Sequence, residues 1–144
     1  MQTLDFFAIG DPKPQPRARA VIRGNHAGVY NPNICDGWKQ IVRLAAREQW
    51  DRVPFSGPLW VAMEFLFVRP QKHFYRSNGK LHTDAPIHHV GVPDVDNLAK
   101  AVMDALTREN VWVDDCLVVH LDVRKRYATP PEVPGVSVSI HRVT

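Results

Sequence analysis

The residues best placed to do chemistry lie in two short runs, Pro93-Asp94-Val95-Asp96-Asn97-Leu98-Ala99-Lys100 and Trp112-Val113-Asp114-Asp115. Asp94 and Asp96 stand two apart at the start of an apolar-periodic segment, so in an extended or capping conformation both side chains can face one way. A helix N-terminus also favours negative charge through its dipole. Lys100 follows Asp96 by four residues, which puts the two on one helical face, opposite the apolar stripe. Asp114 and Asp115 add two acids where a short strand or turn ends. Carboxylates brought together in this way repel one another unless a cation compensates them. An oxygen-rich set with few nitrogen ligands suits Mg²⁺, with Mn²⁺ as substitute. A carboxylate-held metal can activate water and stabilise charge on a phosphodiester, and a nearby lysine can neutralise charge developing there. The ingredients therefore suggest metal-dependent phosphodiester hydrolysis.

The same residues have an ordinary structural account. Asp94 or Asp96 can serve only as an N-cap, worth about 1 kcal/mol. Asp96 and Lys100 can be an exposed pair worth a few tenths, and Asp114-Asp115 a plain turn. Other chemistries have less behind them. Cys35 and Cys116 show no C-x-x-C spacing, which argues against a zinc site or a disulfide framework. Two aspartates beside Cys116 disfavour its thiolate. The pair His88-His89 reads as part of a solvated loop rather than as metal ligands, because adjacent side chains diverge in extended chain. No recognisable serine–histidine spacing supports a small-molecule hydrolase.

The elements that must position these residues can be read in outline. Leu4 to Ile9 is a β-prone run, and the prolines at 12, 14 and 16 then exclude helix and central strand. An exposed basic loop with Arg17, Arg19 and Arg23 follows, leading to a short strand at Val29-Tyr30. Asn33 or Asp36 can cap a helix whose apolar positions include Trp38, Ile41, Val42, Ala45, Ala46 and Trp50. Lys39, Arg43 and Arg47 repeat every four residues on its other side. A solvated face is the simpler reading, and contact with a phosphate backbone the sharper one. Pro54 to Pro58 forms a turn and Leu59 to Val68 a strand. Residues 69–93 form the longest irregular stretch, carry Lys72, Arg76 and Lys80, and read as a functional or mobile loop. A helix runs from Asp94 to about Thr107, with Val95, Leu98, Ala99, Val102 and Leu106 as its core face. Val111–Val113, Leu117–Tyr127 and Val136–Ile140 complete the strands, the last two expected as an antiparallel pair. These elements give an α+β fold over a single domain, residues 1–144.

The run from Pro93 to Leu106 together with Val111-Trp112-Val113-Asp114-Asp115 resembles the RusA family of Holliday-junction resolvases. That family carries an Asp-x-Asp-Asn-x-x-Lys helix start, an Asp-Ala-Leu near the helix end and a Trp-x-Asp-Asp strand end. The likeness extends more loosely to the Lys13-Pro14-x-Pro16-Arg17 loop, the Tyr30-x-Pro32 turn and Lys125. The resemblance implies a mixed, largely antiparallel sheet packed with two main helices. It also implies a homodimeric, Mg²⁺-dependent endonuclease that cuts four-way junctions and other branched DNA by paired nicks, in DNA recombination and repair. Asp94, Asp96 and Asp115 then take the metal-binding role and Lys100 that of the essential lysine; Asp114 stays open as a further ligand. Lys13, Arg17, Arg19, Arg23, Lys72, Arg76, Lys80 and Lys125 are the expected DNA contacts. Leu117 departs from the pattern, since the family often has Gln there.

Composition agrees with a packed globular chain: 44% of the 144 residues are hydrophobic and 23% charged. No apolar run approaches the roughly 18 residues of a membrane span, and no signal peptide opens the sequence. Both point to a cytoplasm, which the resemblance implies is that of a bacterial cell, with a phage or prophage origin of the gene left open. The net charge of +3 hides a segregation: residues 94–122 hold seven acids against Lys100 and Arg108, or −5, leaving +8 on the rest. That distribution suits metal ions in an acidic cluster and DNA on the remainder. A reading of another class also fits: a branched-DNA-binding module without catalysis, its acids purely structural.

Overall fold

A computed structural model describes residues 2–16, 19–24, 26–30 and 35–144; side chains at 19–21, 23 and 26–30 lie outside that description. Arg17 and the Pro32 and Asn33 positions fall outside the described residues, as do the side chains of Arg19 and Arg23. The strands are β1 (Thr3–Ile9), β2 (Arg19–Arg23), β3 (His26–Tyr30), β4 (Leu59–Phe67), β5 (Val118–Tyr127) and β6 (Gly135–Arg142). The helices are α1 (Asp36–Gln49) and α2 (Val95–Arg108). The result is a single-domain α+β fold, as expected from the sequence.

Four strands form the main sheet in the order β1-β6-β4-β5. β6 runs antiparallel to both β1 and β4, whereas β4 and β5 are parallel. The expected pairing of the last two strands therefore does not occur: β4 lies between them. The reason is burial. Val136, Val138 and Ile140 of β6 are fully buried and belong in the sheet centre, while Val119 and Leu121 of β5 are exposed. Arg124, Lys125 and Arg126 suit β5 to an edge, where charge discourages further pairing. β2 and β3 pair antiparallel as a separate ribbon, a hairpin where the sequence suggested one short strand.

Alternation along β1 and β6 sends Leu4, Phe6, Ala8, Val136, Val138 and Ile140 to one face, joined by Val61, Met63 and Phe65 of β4. Against them pack Trp38, Val42 and Ala46 of α1 and Leu98, Ala101, Val102, Ala105 and Leu106 of α2. α1 begins at Asp36 after Cys35, which supplies no side-chain cap, so Asp36 is the first helical residue rather than the cap. The expected strand at Val111–Val113 reduces to one bridge, Trp112 to Phe55. The Trp112 side chain is fully buried, and its indole N–H donates to Thr107 Oγ1 at 2.7 Å.

Residues 69–93 are irregular, as expected, and are tied to the body. Arg69 is buried and donates to the carbonyls of Ala128 (2.9 Å) and Pro86 (2.7 Å) while lying over the Tyr127 ring. Gln71–His73 makes a single helical turn, and Phe74 bridges Leu81.

At the β1–β6 junction a Cβ on Gly135 would lie 2.2 Å from the Ala8 carbonyl oxygen and 2.7 Å from Phe7 Cε1. Gly135→Ala must therefore push the strands apart. It is expected to cost about 2 kcal/mol and to lower the thermal midpoint by about 6 °C, read by circular dichroism.

Candidate active site

Helix α2 presents the acidic motif. Asp94 occupies its N-cap position in extended conformation, and its carbonyl accepts from Leu98 N at 3.1 Å. The Asp94 carboxylate makes no capping hydrogen bond, so the purely structural role allowed by the sequence is not one it performs. Asp96 sits in the first turn, and Lys100 and Asp104 follow on the same face at helical spacing. The opposite face is the buried one, which holds this stripe at the surface.

The other acids are positioned by Trp112. With its ring in the core and its N–H on Thr107, the chain leaves the interior at Val113 and turns through Asp115–Leu117. Asp114 is occupied in that turn, since its carboxylate accepts from Cys116 N at 3.3 Å. Asp115 has no such duty. With Asp96 and Lys100 it lines a groove of about 510 Å³, floored by Ala99, Met103, Leu121 and Val123. Partial burial pushes the Asp115 carboxyl up from its ordinary value, as do the Asp114 and Asp104 carboxylates; Lys100 opposes them.

Asp94 lines an adjoining groove, also about 510 Å³, together with Lys13, Asn97, His89 and the proline loop. That loop is fastened to α2 by Gln15 N donating to the Asn97 carbonyl at 2.9 Å, and Lys13 pairs with Asp11 at 2.9 Å. Lys125, expected as a phosphate contact, donates through Nζ to the carbonyls of Gly91 and, at 2.9 Å, Pro93. It thereby fixes the segment immediately before Asp94. His88 is exposed, but His89 stacks on Phe67 at 4.3 Å, and burial lowers its pKa. The solvated-loop reading thus holds for His88 and not for its neighbour. Lys72 and Arg76 line a separate cleft in the 71–82 segment, which also contains Lys80.

The basic side of α1 is only partly solvated, and its cations are already paired with carboxylates. Lys39 is buried and binds Asp104 at 2.7 Å; Arg43 and Arg47 bind Glu109 at 3.0 and 2.6 Å. Their partners lie more than sixty residues along the chain, so local spacing gave no sign of them. Arg69, Glu109 and the stacking of His89 were likewise unsignalled by any motif.

Among the described residues no three His, Cys, Asp or Glu side chains already converge as a metal cage. The donor chemistry nevertheless fits a hard cation: Asp96 and Asp115 share a groove, offer only oxygen, and crowd more negative charge than Lys100 offsets. Mg²⁺ needs few protein carboxylates, because it keeps waters and shares phosphate oxygens.

Fold and groove together put the chain among small α+β proteins with an acidic, oxygen-donor site. Within that class it belongs to the RusA endodeoxyribonuclease family, which it matches over residues 10–141. Membership implies endodeoxyribonuclease activity. The chain is also 32% identical over 147 residues to the uncharacterized protein YqaN of Bacillus subtilis (strain 168), covering all of this chain and 99% of that relative. No helix among the described residues is long and apolar enough to cross a membrane.

The α1–α2 ion pairs make a stability prediction. Arg47 holds the Glu109 carboxyl below its ordinary value of 4.5, helped by Arg43 and opposed by burial. A lowered folded-state pKa stabilises the fold above the unfolded value, and that stability is lost as pH falls through the folded one. Glu109→Gln should cost about 2 kcal/mol at neutral pH, measured by urea unfolding. The penalty should shrink as the pH drops below 4.5; a constant penalty contradicts the assignment.

Proposed function

We propose that this chain resolves Holliday junctions and related branched DNA by paired nicks, as a Mg²⁺-dependent homodimer acting in recombination and repair in the bacterial cytoplasm. The observation that carries the reading is the groove shared by Asp96, Lys100 and Asp115, with the uncommitted Asp94 carboxylate on the adjoining surface. Family membership supports the DNA endonuclease class. Asp96 and Asp115 would hold the ion, with Asp94 as the third carboxylate. When bound, the cation supplies Lewis-acid neutralisation of the phosphodiester and makes water more acidic.

The protein's own groups do the rest. Lys100, four residues after Asp96, offsets charge on the phosphate as the 3′-oxygen leaves. That cleavage direction yields a 5′-phosphate and a nick that can be ligated. Asp114 holds the turn so that Asp115 reaches the groove. Lys13, Arg17, Arg19, Arg23 and the cations of the 71–82 segment hold the DNA backbone, so binding weakens steeply with salt. Two coordinated cuts call for two such sites, which a symmetric dimer supplies.

A labelled four-way junction with Mg²⁺ tests the reading. Wild type should cut it, and Asp96→Asn should cut at least about 100-fold more slowly while still binding. Lys100→Ala should lower the cleavage rate by about 100-fold with junction binding little changed. Equal cleavage by wild type and Asp96→Asn sinks the site assignment. Binding by both with cutting by neither supports the non-catalytic module instead.

Lys125 separates positioning from phosphate contact. Lys125→Met should raise the Mg²⁺ needed for half-maximal cutting and leave the salt dependence of junction binding unchanged. A phosphate contact would reduce that salt slope by about one, read by fluorescence anisotropy across a KCl series.

A further inference from the structure

Residues 70–83 carry three cations, Lys72, Arg76 and Lys80, and no acid. Among the described residues none of the three enters an ion pair, although Lys13, Lys39, Arg43, Arg47, Arg108, Arg124 and Arg126 all do. The segment is a miniature hairpin. Tyr75 N donates to the Lys80 carbonyl at 2.8 Å, His82 N to that of His73 at 2.9 Å, and Gly79 closes the turn at φ +68°. Its rings are set by this ladder: Tyr75 packs on His82 at 4.0 Å between centroids and stays 41% exposed. Phe74, Tyr75 and His82 belong to no part of the hydrophobic core. With Gln71, Lys72 and Arg76 they line a cleft of about 910 Å³, at the upper end of the size of small-ligand sites.

We infer that this cleft binds an unpaired nucleotide of the DNA substrate, the base stacking against Tyr75 and His82 and the flanking phosphates meeting Lys72 and Arg76. The exposed Tyr75 ring, backed by His82, beside cations in no ion pair supplies the two ingredients of single-strand binding, stacking and backbone charge. In an intact duplex both faces of each base are covered by neighbours, so the rings reach only bases released from the stack. Branched DNA offers such bases where arms meet or end in flaps. The hairpin ladder fixes the rings beforehand, which lowers the ordering cost of binding. The inference rests on the nuclease reading for its substrate and adds what part of that substrate is selected.

The test uses full-length Asp96→Asn protein and a flap oligonucleotide with 2-aminopurine at an unpaired position, beside the same sequence fully paired. Stacking should quench the flap probe. Tyr75→Ala should remove the quench and weaken flap binding about tenfold while duplex binding holds. Tyr75→Phe should retain both, and Tyr75→Leu should lose both, which separates ring chemistry from hairpin folding. Equal loss on flap and duplex overturns the inference, as does a quench that survives Tyr75→Leu. Displacement of the flap by an equal concentration of AMP also overturns it, because the cleft is then a mononucleotide site. Cleavage plays no part in these readouts, so an inactive wild type that still quenches the flap refutes only the nuclease reading.

Discussion

The parallel pairing of β4 with β5 is the constraint from which the site follows. Two parallel neighbours cannot be joined by a tight turn; the chain must cross back over the sheet before it re-enters. Here the crossing runs from Phe67 to Val118 and contains the anchored 69–93 segment, helix α2 and the Trp112 turn. Every acidic residue of the groove lies on that crossing. Packing α2 against the sheet fixes which of its faces remains outside, and the return into β5 brings Asp115 beside it.

Polar contacts then hold the crossing at points the core does not reach. Lys39, Arg43 and Arg47 clamp α2 and its end to α1, Lys125 grips the backbone before Asp94, and Arg69 secures the other end of the irregular segment. The three α1 cations are paired with carboxylates, while Lys125 and Arg69 are satisfied by backbone carbonyls, as the cost of desolvating a charge demands. The result is an acidic surface whose backbone is braced from two sides while Asp94, Asp96 and Asp115 enter no ion pair among the described residues.

Much of this was legible in the sequence, for a local reason. The α2 stripe follows from a period of 3.6, the faces of β1 and β6 from a period of two, and the acidic motif from its spacing around Lys100. Strand neighbours were not legible. Alternation in β6 reports a buried face but not which strands flank it, so β4 could insert between β5 and β6 unannounced. The cations of α1 were misjudged because spacing shows a charged side without showing Asp104 and Glu109 opposite. Asp94 illustrates the same limit: a cap is what its position favours, and only the three-dimensional arrangement leaves its carboxylate free.

Only His73 of the 71–82 hairpin is buried, and the 69–93 segment around it is held at its two ends, by Arg69 on one side and by Lys125, the Ile87 carbonyl and the stacked His89 on the other. Such an appendage is interchangeable: its tip can lengthen, shorten or swap side chains without disturbing a buried contact. The braced acidic groove has no such freedom. The two parts of the crossing can therefore diversify at different rates, the ribbon by changes at its tip and the groove only within the limits its bracing sets.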